Sequence, residues 1–481
     1  MHEEEPNASC TVYKAKYVLV THQPMLIQRQ FPSIHLWRAL FNFCYSQRKM
    51  ENITFGLELE FVTPVLQAGQ IDPDEASEVA ASGAAGQPRF VARVDDSNDP
   101  YSEPGYSKVY KHLVELINTV APQKAMMSIE TRPDHGYETW FVKEESTAVE
   151  VSGLGPDQYF EWNNVELTTP VFSIPISNNF QWPSSIGDVV RLIRQSCRVR
   201  TNNSCALHIH VGLMSSETQG NESLDKPGLY LREKLVTLKK LATLLWLAED
   251  RIMSLCHPLR WDIKEGWSSS LRRSPYLNTI LHKMPALSQN HSQEYAVWLG
   301  KVFESAASES GYSDVVPKMS LIWNAKNWHQ LAGFLKSPMT HGKLIFDFSQ
   351  LSRIGTVEFR PMEASFDEAL LKHWTAVCTR LVMYANQQAT GPNAQRYQNT
   401  IVNLLQNESE YSIWDLLEEI GCSAQASWFK DKCARDEREF QNLKVCFDIK
   451  NSYPVPYYLP GNEALFFPPR SAEPWDINDL V

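Results

Sequence analysis

Polar and apolar residues alternate along 52–65 (NITFGLELEFVTPV), the two-residue period of a strand with one buried face, and Pro64 marks its end. Apolar residues then recur at helical spacing over 107–120. Residues 137–151 and 165–172 read as strands on either side of a turn-rich insert, GLGPDQYFEWNN. Residues 184–199 read as a helix leading into the strand that carries LHIHVG. Leucines at 231, 235, 238, 241 and 245, followed by Ile252, predict a helix of about seven turns that Pro258 stops. After a less regular stretch at 260–340, KLIFDFSQ and GTVEFRPME predict two antiparallel strands joined by a short turn, and 366–388 a second long helix.

Both ends differ in character from this centre. Residues 1–48 begin with an acidic tail, continue through VYKAKYVLVTHQPML, whose VLV core reads as an extra strand, and reach the helix-like HLWRALFNFCYSQ. Residues 391–481 hold a helix around 396–420, a polar helix around 424–442 and a Pro-rich end. The chain is therefore expected to comprise an N-terminal extension (1–48), a main domain (49–390) and a tail (391–481). That tail packs on the main domain or reaches another subunit of a homo-oligomer. The Ala-, Gly- and Ser-rich stretch at 67–89 has few large apolar residues and is expected to be a mobile surface loop, and either it or the tail is expected to act as a lid over the site.

Composition removes several function classes. With 481 residues and 43% apolar side chains the chain can bury a sizeable core. Its net charge of −11 and the lack of a basic, aromatic-interleaved groove argue against nucleic acid as a partner. The acidic start MHEEEPNASC is unlike a signal peptide and no apolar run approaches a membrane span, so a cytoplasmic protein without a membrane partner is expected. The nine cysteines are scattered with no CxxC pair, unlike a disulfide framework or a zinc knuckle.

The candidate chemistry lies in three strings: GLELEF at 56–61, LHIHVG at 207–212 and VEFRPME at 357–363. On a strand, alternate residues share a face, so Glu58 joins Glu60, His208 joins His210, and Glu358 joins Arg360. Ionisable groups gathered on one face are costly to bury unless they hold a metal ion, an anion or both. Several carboxylates with an imidazole and an arginine suit Mg²⁺ and phosphate chemistry. The chain has no P-loop, no GxGxxG after a strand, no kinase HRD or DFG, and no HExxH or GxSxG motif. What remains is an α+β fold in which a curved antiparallel sheet supplies the ligands.

The order of the strings is ExE, a strand with WFVKEES, then VELTTP, CALHIHVG, a long helix and TVEFR. In that order the chain resembles the amidoligase family of the carboxylate–amine ligase superfamily, which includes glutamine synthetase and glutamate–cysteine ligase. The likeness runs over roughly residues 50–390 and leaves both ends unmatched. It implies a glutamine synthetase-like sheet packed with long helices, with ATP and Mg²⁺ (Mn²⁺ as the alternative ion) as cofactors, and a small-molecule or peptide carboxylate and an amine as substrates. It implies that Glu58, Glu60, Glu166, His208 and Glu358 hold metal, and that His210 and Arg360 meet phosphate. Glu145, where the family usually has Asp, would be a ligand or the base near the amine. Asn203 is expected to meet substrate, and Arg272 or Arg273 to reach phosphate. Thr168 and Thr169 stand where Ser is more common before Pro170, and Ala206 stands where the family commonly has Gly. The reaction implied is phosphorylation of a carboxylate by ATP, followed by displacement of phosphate by an amine. The rival readings are a metal-dependent amide hydrolase, for which HxH on a strand is also a beginning, and a catalytically silent nucleotide-binding relative.

Overall fold

The computed structural model describes residues 52–76, 78, 88–94, 104–127, 138–148, 159–175, 180–214, 234–260, 269–272, 275–283, 299, 302, 315–336, 344–386, 392–406 and 410–446. The expected extension at 1–48, the loop at 215–228 and the Pro-rich end lie outside them. The strands are β1 (Asn52–Gln67), β2 (Ala92–Val94), β3 (Ala125–Met127), β4 (Trp140–Glu144), β5 (Glu161–Thr168), β6 (Phe172–Pro175), β7 (Ala206–Met214), β8 (Phe346–Asp347) and β9 (Thr356–Glu363). They form one open, mostly antiparallel sheet in the order β3-β4-β5-β1-β7-β9-β8, with β2 and β6 also paired to β1. The architecture is mixed α/β.

Alternation along β1 explains the two faces of the sheet. Phe55, Leu57, Leu59 and Phe61 are all buried on one side, each contributing about 1.5–3 kcal/mol relative to exposure. Leu207, Ile209 and Val211 of β7 and Val357 and Phe359 of β9 extend the same apolar face. Helices α1 (Gly105–Ile117), α2 (Ser184–Ser196) and α7 (Glu368–Ala385) cover this face. Before α7 come α3 (Leu235–Met253), α4 (Pro275–Lys283), α5 (Val315–Asn324) and α6 (Trp328–Phe334). After it come α8 (Pro392–Gln406), α9 (Ile413–Glu419) and α10 (Ser423–Cys446). Helices α3 and α10 pack on α7, and α8 on α3. The opposite face of the sheet carries Glu58, Glu60, His208, His210 and Glu358.

Several elements differ from their expected limits. Strand β1 runs through Pro64 to Gln67. The Val62 N–H donates to the Arg200 carbonyl, and Pro64, two residues on, points its nitrogen the same way, past that bridge and before β2 joins at Val65. No ladder donor is required there, so proline is tolerated. The strand expected over 137–151 is only five residues long, and 165–172 divides into β5 and β6 around Pro170, with β5 starting inside the turn-rich insert. Helix α3 ends at Met253, before Pro258, and the helix expected around 396–420 is two, α8 and α9.

The described ends of the 67–89 stretch are anchored, which corrects the expectation of a mobile surface loop there. Asp72 forms a paired contact with the fully buried Arg198, Asp74 accepts from the Tyr159 hydroxyl, and Glu78 binds Arg89. Composition registers the missing apolar residues but not these buried ion pairs. Residues 77 and 79–87 lie outside the described set.

Helix α10 is tied to the end of β9. Lys432, almost fully buried, bonds Glu363, Asp436 and the Leu255 carbonyl. Glu439 of α10 stands 4.0 Å from His257. Burial, aided by Asp436 and Glu363 against Arg435 and Lys432, pushes the Glu439 carboxyl from its ordinary 4.5 up to about 8. Because the folded value is the higher one, this stability contribution is complete below pH 4.5 and is lost as pH rises through 8. Glu439→Gln stays neutral and is expected to be more stable than the parent by about 2–4 kcal/mol at pH 9. At pH 4 the two should coincide, as urea unfolding at both pH values will measure.

Candidate functional site

Strand register brings the three sequence strings together. Glu58 of β1 lies opposite His208 of β7 on one side and Thr168 of β5 on the other, while Glu60 lies opposite Glu166. His210 lies opposite Glu358 of β9. Glu60, Glu166, His208, His210, Glu358 and Arg360 are all buried.

The register of β7 and β9 shifts between Leu207 and Ile209, whose partners are Met362 and Phe359. His208 therefore faces two residues, Arg360 and Pro361, which is a β-bulge in β9. The extra residue inverts the parity of the strand beyond it. Glu363, an odd-numbered residue, pairs with Ala206 and so shares the polar face with Glu358 and Arg360. Gly355, with φ of 73°, supplies the left-handed turn by which the chain enters β9.

One donor atom from each of Glu58, His210 and Glu358 lies within 4.8 Å of the others, so these residues could hold a metal ion. His210 Nε2 is 3.2 Å from Glu58 Oε1 and 3.9 Å from Glu358 Oε1, within ion-pair distance of both. The other ring nitrogen, Nδ1, is 3.1 Å from the Thr356 hydroxyl, a contact that fixes the ring as metal-binding histidines require. Glu358 is oriented from both sides, by Gln350 at 3.1 Å and by Arg360.

His210 joins Glu58 and Glu358 in this trio, and His208 stands as close to both carboxylates. The ring of His208 lies deeper among charges: Nδ1 is 3.2 Å from Glu58, 3.4 Å from Glu358 and 3.4 Å from Arg360, and Nε2 is 3.5 Å from Glu60. Register accounts for this placement, since His208 is flanked by both Glu58 and the bulge.

Burial alone would raise every carboxyl here, and neighbours decide which stay charged. Burial is the largest influence on Glu58, but the charge of His210 and the hydrogen bond from His208 outweigh it and hold Glu58 well below the usual range. Glu358 is likewise lowered, burial being overcome by Arg360, His210 and His208. Burial raises Glu60, with Glu145 adding to it, although the Ala206 N–H donates to its carboxylate at 2.8 Å. Burial, together with the Glu58 charge, raises Glu166 well above the usual range. His210 is raised because Glu58 and Glu358 overcome the cost of burying its charged form. A dication among these groups would draw all the carboxylates toward ionisation.

Lys143, which sequence reading passed over, sits 2.7 Å from Glu166 and carries a positive charge onto the acidic face. Its signal was present: Lys143 and Glu145 alternate in WFVKEES as Glu58 and Glu60 do in GLELEF. Glu145 adjoins Glu166, and the Thr147 N–H donates to it at 2.9 Å. Burial raises its carboxyl, but hydrogen bonds from Glu166 and Thr147 prevail and hold it low, leaving Glu145 the charged partner of the pair. Arg360 donates to Glu358 through Nη1, whereas its buried Nε has no hydrogen-bond partner. An unsatisfied guanidinium N–H beside an acidic cluster can donate to an anion.

Two further candidates lie off the cluster of strand carboxylates and histidines. Arg272 stands at the C-terminal end of α3, 3.0 Å from Asp250, with its guanidinium 5.6 Å from the Trp246 ring centroid. A helix carboxylate and an indole face hold the side chain there, and Arg273 lies outside the described residues. Asn203 is buried in the turn that launches β7, and its carbonyl accepts from Arg260 at 3.0 Å. Comparison with protein-family models, with curated proteins and with solved structures finds no match.

Proposed function

We propose that this protein is an ATP-dependent carboxylate–amine ligase, with Mg²⁺ or Mn²⁺ as its ion. The observation that carries this reading is the Glu58–His210–Glu358 trio, half-buried at Glu58 and buried at the other two, beside Arg360, whose Nε lacks a partner. A site that offers both oxygen-rich metal donors and an unsatisfied guanidinium suits a metal-bound phosphate better than either alone. The acidic and imidazole donors fit a hard divalent ion. When bound, that ion would neutralise phosphate charge and act as a Lewis acid.

The chain's own residues divide the remaining work. Glu58, His210 and Glu358 would hold the ion, with Glu60 and Glu166 adjoining them on the same face. Arg360 would bear the charge of the transferring phosphoryl group through its free N–H, and Lys143 would offer a second cation. Glu145, held in its charged form, would accept a proton from the attacking ammonium so that the neutral amine displaces phosphate from the acyl phosphate.

The test is the purified full chain with Mg²⁺, ATP and pooled carboxylic acids and amino acids, following ADP, phosphate and new amide masses. ADP release that requires both an acid and an amine, with a matching amide product, is expected. Cleavage of amides without ATP would overturn this reading in favour of a hydrolase.

A further inference from the structure

A β-bulge leaves main-chain groups without ladder partners, and in β9 this happens where Arg360 must be aimed. A second arginine fills the gap. Arg260 ends the short 3₁₀ turn Pro258–Arg260 and is buried. Its Nε donates to the Pro361 carbonyl at 3.1 Å, Nη2 to the Arg360 carbonyl at 3.2 Å, and Nη1 to the Asn203 carbonyl at 3.0 Å. One planar fork thus joins both bulged residues of β9 to the turn that launches β7. The turn itself is fastened to the same strand, because the His257 N–H donates to Glu363 at 2.9 Å and Glu363 binds Lys432 of α10.

We propose that Arg260 is a positioning residue: by holding the carbonyls of Arg360, Pro361 and Asn203 it fixes the bulge that aims the Arg360 side chain at the site. This rests on the ligase reading for its effect on turnover, and on the hydrogen bonds alone for its effect on Arg360. The bulge can relax by moving its extra residue along the strand, and such a slip carries Arg360 off the polar face. Glu358 lies before the bulge and keeps its bond from Gln350, and Glu58 and His210 lie on other strands, so the metal trio keeps its main-chain placement when Arg260 is altered. Lysine is an informative replacement. It keeps the positive charge but presents a compact ammonium in place of a planar fork, and cannot span three carbonyls on two strands.

The experiment compares full-length parent, R260K, R360M and the double variant, using Mn²⁺ alone and Mn²⁺ with ATP as probes. R260K is expected to bind Mn²⁺ alone within about twofold of the parent and to lose about 100-fold in kcat, the scale of a misplacement near 1 Å. In the R360M background the same substitution is expected to change kcat less than about twofold, because the residue it acts through is gone. Equal losses in both backgrounds would show a merely structural role and overturn the proposal. Should the parent turn over no acid and amine pair, the ligase reading fails, and the positioning is read from protein labelled with ¹⁵N at arginine Nε. The Arg360 signal, identified by its loss in R360M, is expected to shift in R260K, and an unmoved signal would overturn the proposal.

Discussion

Glu358→Ala is expected to abolish turnover, to weaken Mn²⁺ binding by at least about tenfold, and to destabilise the fold by about 3 kcal/mol. Two separate losses are combined in that variant. The carboxylate is one of the three candidate metal donors, and it is also the ion-pair partner of a buried guanidinium. Removing one member of a buried pair leaves the other charge without compensation, a larger effect than the pair's own net contribution. Glu60 and Glu58 also act on Arg360, so the cost belongs at the lower end of the usual range. Glu358→Gln separates the losses: its side-chain carbonyl still accepts from Arg360, while its metal affinity and turnover are expected to fall as far as those of the alanine variant.

Acidification supplies a second check on the same carboxylate. Burial would raise the Glu358 carboxyl, but Arg360, His210 and His208 hold it below the ordinary carboxylate value of 4.5. Its stabilising contribution is therefore complete above that value and disappears as pH falls through the lowered one. Urea unfolding of the parent should show this loss, and Glu358→Gln, in which the other lowered carboxyls still titrate, should show a smaller one. Equal stability of all three proteins at neutral pH would mean that the Glu358–Arg360 contact contributes nothing, and the placement of the site would have to be abandoned.

The fold and the site were legible in the sequence to different depths. Period-two alternation disclosed which residues share a face, because strand pleating admits no other reading: Glu58 with Glu60, His208 with His210. It does not disclose register, which depends on pairing between strands far apart in sequence. Hence His208 and His210 could be named but not placed, since only the pairing of Glu58 with His208 and of His210 with Glu358 sets where each imidazole stands among the carboxylates. Pro361 was the one visible sign of the bulge, and the inversion it marks explains why Glu363 escaped notice. Arg260 left no trace, as its partners are main-chain carbonyls that every residue possesses.

Replacing Arg360 by methionine is expected to reduce kcat by about 10³-fold or more while leaving Mn²⁺ binding intact or a few-fold tighter. The two directions follow from one charge. A guanidinium aimed at a transferring phosphoryl group lowers the barrier only in the reaction, whereas beside a metal site it repels the ion. Methionine preserves much of the aliphatic volume, so the buried position remains filled, although Glu358 loses its partner and is expected to titrate at a higher pH. Mn²⁺ affinity should for that reason decline at acid pH in the variant before it does in the parent. Arg360→Lys keeps the charge without the fork and is expected to recover part of kcat but not all of it. Electron paramagnetic resonance titration with Mn²⁺ and steady-state ATP turnover, run on the same preparations, measure both quantities. A methionine variant that retains turnover would remove phosphoryl transfer from this face of the sheet, and weaker Mn²⁺ binding at neutral pH would mean that Arg360 shapes the metal site itself.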